Sequence, residues 1–225
     1  MPARKLYPRT ALAILTALNL LNYIDRSVLF AVQPLVQDEF HISKTQLGYL
    51  TSAFLAFYMI AAPFAGPLAD RYSRKLIIIL GAFFWSALTL LTAVTHTYWE
   101  LLLRHTLVGI GEATFVTIAP SLVADLFPES VRGRIFGIFY LAIPVGTAAG
   151  YLIGGNLGPT FGWRYPFYVA ALPGFFLALI LFFIPEPPRG QFDTQKETRE
   201  RGTLLGLARN PAFLSVTLGM AAGTF

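Results

Sequence analysis

Long apolar stretches alternate with short polar segments along the whole chain. Six stretches are long enough to cross about 30 Å of hydrocarbon, which takes about 20 helical residues. They cover residues 11–33, 46–68, 76–95, 98–124, 135–156 and 166–184. A seventh stretch, residues 211–225, reaches the end of the chain before it is long enough to span. The pattern predicts an all-α membrane protein.

The polar segments between these stretches predict how the chain is divided. Each connection up to residue 166 is too short to hold a soluble domain, so successive helices must alternate in direction. A proline-rich and then charged segment follows the sixth span. We therefore predict a six-helix bundle over residues 1–185, a cytoplasmic linker over 186–210, and the truncated start of a seventh helix over 211–225.

Composition agrees with a membrane protein and argues against an enzyme. Hydrophobic residues make up 55% of the 225 positions and charged residues only 13%, against about a quarter charged in soluble domains. The chain has no cysteine, and no phosphate-binding loop, metal-spaced His/Glu set or nucleophile elbow is present. We predict no catalytic residue, no metal and no cofactor.

The basic residues predict both a partner and an orientation. The net charge of +5 is not arranged as a basic stripe with interleaved aromatics, so lipid headgroups rather than nucleic acid are the expected partner. Positive residues are retained on the cytoplasmic side, and alternate connections carry 13 against 3. The N-terminus and linker are therefore predicted to be cytoplasmic, in a bacterial inner membrane or an equivalent plasma membrane.

The first span carries a polar stripe. At about 100° per residue, Asn19, Asn22, Arg26 and Gln33 fall on one narrow face, with Asp25 beside it. A charged residue at the bilayer centre costs about 2.5 to 3.5 kcal/mol on insertion scales, so it normally faces the bundle interior or a water-filled cavity. We expect this face to line such a site.

The fourth span carries a second set of polar residues. Glu112 lies near its centre, His105 lies two turns away on the same side, and Arg104 lies near the membrane edge. We hypothesise that Arg26 faces Glu112 across a central cavity or binds an anionic group of a ligand there. The alternative is a structural ion pair that only holds helices together.

The two buried acids suggest proton binding. Low dielectric favours the protonated form of a carboxylic acid, and a neighbouring cation favours the ionised form. Asp25 or Glu112 is therefore a candidate proton carrier whose affinity changes as Arg26 approaches or leaves. An acid that stays permanently paired or permanently protonated is the alternative.

Small residues recur in the fifth span. Gly146, Gly150 and Gly154 follow Pro144 at intervals of four. Such spacing allows close helix approach. We predict tight packing here in preference to a hinge.

Several motifs resemble those of a known family. The sequence GPLADRYSRK at 66–75 resembles the loop motif of the major facilitator superfamily, with Ser73 where glycine is common. Within it the chain resembles the Spinster branch through NYIDR at 22–26, LVGIGEA at 107–113, IAP at 118–120 with DLF at 125–127, IPVG at 143–146 and EPPRG at 186–190. Where that branch usually has arginine, this chain has His105 preceded by Arg104, and either residue is a candidate to replace it.

The resemblance implies a fold and an activity. The fold would be the six-helix N-terminal half of a twelve-helix protein, built from two inverted three-helix repeats, with the first and fourth helices lining a central cavity. The activity would be secondary transport of a lysolipid or sphingoid-type amphiphile by alternating access, often proton-linked. Asp70, Arg74 and Asp125 would form a cytoplasmic gate between the two halves.

A half of this kind would need a C-terminal six-helix half as a partner, because its polar stripe would otherwise face lipid. Self-association of two copies is a weaker alternative. Two other functions remain open from sequence: a facilitator for a drug-like or organic-anion substrate, and a non-transporting membrane module that binds or regulates a partner.

Overall fold

The computed structural model describes residues 3–192 together with residues 211, 214 and 215, with side chains from Tyr7 onward. The chain divides into two units, Met1–Phe192 and Asp193–Phe225. The first unit consists of six helices: α1 Ala3–Phe40, α2 Lys44–Arg71, α3 Arg74–Thr92, α4 Tyr98–Leu126, α5 Glu129–Phe161 and α6 Tyr165–Phe182. Most of the predicted linker and seventh helix lies outside the described residues.

Each helix of the first unit has a membrane-spanning length and composition. Among the described residues, six helices are long and apolar enough to cross a bilayer. Residues 3–192 contain no strand. The fold is therefore an all-α, multi-pass bundle, as the apolar pattern predicts.

Short polar connections start and stop these helices. Ser43 and Gln46 form a reciprocal capping box at the start of α2, while the hydroxyls of Ser73 and Thr97 accept hydrogen bonds from backbone N–H groups at the starts of α3 and α4. Gly162, with φ of 90°, ends α5 in a backbone conformation that favours glycine. These caps allow turns of only a few residues.

The helices differ from the predicted spans mainly at their ends. α1 continues to Phe40, seven residues past the predicted end at Gln33, with Pro34 inside it. α5 begins at Glu129, directly after Pro128, instead of at Ile135. A helix can continue past its apolar residues into water, because polar residues do not interrupt the backbone hydrogen bonds. The apolar run therefore indicates which part of a helix lies in the membrane, and not where the helix ends.

Helix packing follows a two-fold pattern. α1 packs mainly on α5 and also on α6, whereas α4 packs mainly on α3 and α2. Exchanging α1 with α4, α2 with α5 and α3 with α6 reproduces the same set of contacts. This is the arrangement expected of two inverted three-helix repeats.

The α1–α5 contact depends on glycine. A Cβ atom added at Gly146 or Gly150 would lie 2.6 Å from the carbonyl oxygen of Leu20 or Ile24, respectively. A Cβ at Gly154 would lie 2.6 Å from Cβ of Ala31. The predicted close packing is therefore present, and it holds the first polar stripe at a defined distance from α5.

Candidate functional site

The structure brings the two central charges into direct contact. Nε of Arg26 on α1 donates to Oε2 of Glu112 on α4 at 2.5 Å. Glu112 lies half-way along α4, and its side chain is 0% exposed, whereas the Arg26 side chain is 20% exposed. Nη2 of Arg26 and Oε1 of Glu112 are buried without a hydrogen-bond partner. Arg26 thus retains an unused donor, and Glu112 retains an unused acceptor.

Aromatic rings surround the guanidinium of Arg26. Its central carbon lies 5.2 Å from the ring centroid of Tyr23, 5.1 Å from that of Phe54 and 4.9 Å from that of Tyr58. Ring faces attract a cation without consuming its hydrogen-bond donors. The cage therefore surrounds the Arg26 guanidinium with ring faces and leaves its Nη2 without a hydrogen-bond partner.

Asp25 and Asn22 lie next to this pair in different surroundings. The Asp25 carboxylate is buried and accepts a hydrogen bond from the hydroxyl of Thr89 on α3. It lies near enough to Arg26 and Glu112 to interact electrostatically with both. Asn22 is fully buried beside Glu112. Together with the ion pair, these residues form what we term the central cluster: Asn22, Asp25, Arg26 and Glu112.

The other predicted site residues of α1 and α4 make different contacts. Nδ2 of Asn19 donates to the carbonyl of Phe139 at 3.0 Å and so joins α1 to α5. His105 stacks on Phe54 with ring centroids 5.0 Å apart, on the ring that also faces Arg26. Arg104 instead donates to the carbonyl of Leu91 at the end of α3. Among the described contacts, Arg104 makes none with the central cluster.

A second charged group lies at the end of the bundle that contains the N-terminus of α1. We call this end the N-terminal face; it comprises residues 7–9, 70–75, 124–132 and 183–190. Nη2 of Arg74 lies 2.5 Å from Oδ2 of Asp125, and both residues are buried. Glu186 lies 3.7 Å from the Arg74 guanidinium and accepts hydrogen bonds from the Arg74 backbone N–H and the Ser73 hydroxyl.

The segment after α6 holds this end together. The Arg189 guanidinium donates to the carbonyls of Ala69, Asp70 and Tyr72 at the end of α2. The backbone N–H of Gly190 donates to Asp125 at 3.0 Å. Of the three predicted gate residues, Arg74 and Asp125 are therefore paired, whereas the exposed Asp70 contributes its backbone carbonyl to Arg189.

Sequence reasoning missed several residues of both groups. Phe54 and Tyr58 lie one turn apart on α2, a spacing that is equally typical of an ordinary apolar face. Thr89 carries no charge and is unremarkable in an apolar span. Glu186 and Arg189 stand in the EPPRG motif, but their partners are more than 100 residues away in sequence, so local spacing gives no signal of the contact.

These features define a class of protein: a multi-pass helical membrane protein of two inverted repeats with charged residues near the middle of two membrane-length helices. Comparison with known sequences then identifies the family. Residues 15–225 match the sequence profile of the Major Facilitator Superfamily. The chain belongs to this superfamily, and the predicted fold class and resemblance are confirmed.

Within the superfamily the chain is Spinster-like. It is 40% identical over 223 residues to protein spinster homolog 1 of Homo sapiens, covering 95% of this chain and 42% of that protein. It is 37% identical over 227 residues to the sphingosine-1-phosphate transporter SPNS2 of Danio rerio, covering 97% of this chain and 45% of that protein. The chain spans less than half the length of these curated relatives.

Solved structures show the same relationship. A crystal structure of a bacterial homolog of the human lysosomal transporter Spinster, inward-facing and unoccupied, has a TM-score of 0.83 at 32% identity, covering 95% of this chain and 51% of that chain. An inward-facing, occupied structure of a bacterial homolog has a TM-score of 0.80 at 31% identity, covering 95% and 50%. These similar proteins are transporters, and the chain matches about half of each.

Proposed function

We propose that the chain forms the N-terminal half of a secondary transporter that moves a lysolipid or sphingoid-type amphiphile across a membrane by alternating access. The observation that carries the proposal is the Arg26–Glu112 pair at mid-membrane, with Arg26 in an aromatic cage and 20% exposed. An intramembrane cation with unused donors is suited to binding an anionic headgroup. The Danio rerio relative, named as a sphingosine-1-phosphate transporter, supports this substrate class.

The site also supports a second half as partner. A partly exposed arginine at membrane depth is costly against lipid, so it normally faces protein or a water-filled cavity. α2 and α5 are also the least buried helices of the bundle. We propose that a C-terminal six-helix half covers these surfaces and completes the cavity, as the half-length match to the relatives suggests.

Proton coupling would result from competition between the substrate's anionic group and Glu112 for the same cation, Arg26. When the anionic group of a substrate binds Arg26, Glu112 loses its ion-pair partner while remaining in a low-dielectric site. A carboxylate in that position takes up a proton from the accessible side, since its ionised form is no longer compensated. Release of the substrate restores the Arg26–Glu112 pair and returns the proton. Asp25, hydrogen-bonded to Thr89, is a second acid able to take part.

The gate and the orientation are part of the same proposal. Arg74 and Asp125 at the N-terminal face would contact the C-terminal half when the path is closed on that side, with Asp70 exposed beside them. The excess of basic residues supports a cytoplasmic location for this face. The protein would accordingly be a bacterial inner-membrane or plasma-membrane protein.

The test is binding to the chain in nanodiscs. A fluorescent anionic lysophospholipid should bind, sphingosine 1-phosphate should compete, and a short organic anion without a long chain should not. Arg26→Gln should weaken binding at least tenfold. Arg104→Gln should leave it unchanged, because Arg104 contacts the end of α3 and not the central cluster.

Other outcomes decide against the proposal. Effective competition by short organic anions would favour the drug-like or organic-anion substrate. Uptake is then measured in proteoliposomes that also contain a C-terminal half, with an imposed pH gradient. Ligand that is bound but never moved would favour a non-transporting module, and movement that is insensitive to the gradient would remove proton coupling.

A further inference from the structure

An apolar groove runs along the outside of the bundle, apart from the central cluster. It has a volume of about 470 Å³ and lies between Ala13, Ala17 and Leu20 on α1 and Ile138, Leu141 and Val145 on α5. A neighbouring pocket of about 350 Å³ shares Ala17 and Leu20 and extends to α6. The two pockets therefore adjoin at Ala17 and Leu20 of α1, one extending along α5 and the other to α6.

The length of the groove matches one membrane leaflet. It begins beside Arg9 and ends beside Leu20, and eleven residues of helix correspond to about 16 Å. That is close to half of the roughly 30 Å hydrocarbon thickness. The cleft thus runs from the membrane surface at the N-terminal face to about the middle of the bilayer.

Two cations flank the surface end of the groove. Arg9 lines it directly from α1. Arg134 lies one turn before Ile138 on the same face of α5, since residues four apart are neighbours on a helix. Both arginines are exposed, and neither forms an ion pair with another described residue. Within residues 7–192, the surface end of the groove therefore carries two positive charges that no ion pair compensates.

The groove and the central cluster use different faces of α1. At about 100° per residue, the groove face at Ala13 and Leu20 lies about 150° around the helix from Asn22 and Arg26. The C-terminal half proposed above would cover Arg26 and the part of α5 beside it, and it would leave the groove, on the other side of α1, to the lipid phase. Neutral acyl chains fill apolar clefts, and basic pockets between spanning helices attract anionic headgroups.

We propose that this groove binds one anionic phospholipid of the leaflet next to the N-terminal end of α1, which is the cytoplasmic leaflet in the orientation proposed above. An acyl chain lies along Ala13 and Ala17, and the phosphate contacts Arg9 and Arg134. The site is distinct from the transport site, so a lipid held here would be a resident ligand and not the transported substrate.

The test uses a single fluorescent label in vesicles. The chain has no cysteine, so Leu141→Cys, at an exposed groove residue, provides one thiol for a bimane label. Quenching is titrated with brominated phosphatidylglycerol and, separately, with brominated phosphatidylcholine. We expect stronger quenching by the anionic lipid. Its affinity relative to phosphatidylcholine should be about fivefold higher for each arginine that contributes. The combined change Arg9→Gln and Arg134→Gln should remove this preference.

Matched controls separate a site from a general attraction of the membrane surface. Arg71→Gln removes another exposed arginine of the N-terminal face and should preserve the preference. A label at Leu80→Cys, on the exposed face of α3, should show no preference. Ala13→Phe fills the groove and should reduce quenching at position 141 by either lipid.

Three results would overturn the proposal. One is equal quenching by the two lipids at position 141. A second is a preference that survives the combined Arg9 and Arg134 change. The third is absence of quenching by either lipid, which would indicate that protein and not lipid occupies the groove. Because none of these measurements involves Arg26 or transport, their failure is separable from failure of the proposed function.

Discussion

Two ion pairs of equal length lie in different surroundings in this bundle. Arg26–Glu112 and Arg74–Asp125 both have a nitrogen–oxygen distance of 2.5 Å. At the centre, Glu112 receives a hydrogen bond from Arg26 and lies beside Asn22, while Arg26 is surrounded by three aromatic rings and lies near Asp25. At the N-terminal face, Asp125 also accepts from the backbone of Gly190.

The two ion pairs differ in how many other partners each charged group keeps when its ion-pair partner is lost. Separation of the central pair leaves a fully buried carboxylate with little compensation, which is tolerable only if a proton or a ligand takes the place of Arg26. Separation of the outer pair leaves Asp125 with a backbone donor and Arg74 beside Glu186. The centre is thus suited to exchange of partners, and the outer cluster to holding chain segments together.

The largest expected effect comes from breaking the central pair. Arg26→Gln leaves Glu112 buried and unpaired, so it should lower the free energy of unfolding by about 3 kcal/mol or more. The double change Arg26→Gln with Glu112→Gln should recover most of this loss, because no buried charge remains. Thermal unfolding in mild detergent measures both. A double variant as unstable as the single one would contradict the view that each charge of the pair mainly compensates the burial of the other.

A smaller effect is expected at the outer pair. Arg74→Gln should cost about 2 kcal/mol, because Asp125 keeps its bond from Gly190 and lies near the membrane surface. Arg71→Gln, at an exposed arginine three residues earlier, is the matched control and should leave stability unchanged. If Arg74→Gln proved as costly as Arg26→Gln, the contrast between the two pairs would fail.

The smallest loss of stability is expected when the hydrogen bonds of the segment after α6 are removed. Arg189 is exposed and bonds three carbonyls at the end of α2, so Arg189→Gln should cost about 1 kcal/mol. Faster proteolysis near residue 189, with little change in global unfolding, is the expected sign of a released segment. Unchanged proteolysis would show that these hydrogen bonds do not hold the segment.

The sequence predicts the helices and the central charges because their signals are local. Runs of apolar residues locate the six spans, and the cost of a charge in lipid draws attention to Arg26 and Glu112. Their direct pairing was one of several open possibilities. Only the packing of α1 against α4 turns two separate polar stripes into one cluster.

The remaining site features depend on contacts that no local pattern encodes. Asn19 shares the polar stripe of α1, yet its amide is bonded to the carbonyl of Phe139 on α5. Arg104 precedes His105 by one residue and therefore points about 100° away, to the end of α3. Helical periodicity identifies a face, but the neighbour that covers the face is a property of the fold.

The most direct test of exchange at Arg26 is the pH dependence of anionic lysophospholipid binding. If the ligand competes with the Glu112 carboxylate, protonation of Glu112 releases Arg26, so affinity should rise as pH falls. Glu112→Gln should bind tightly and lose this dependence, whereas Asp25→Asn should retain it. Binding to Glu112→Gln that is weaker than wild type, or that keeps the same pH dependence, would contradict the account.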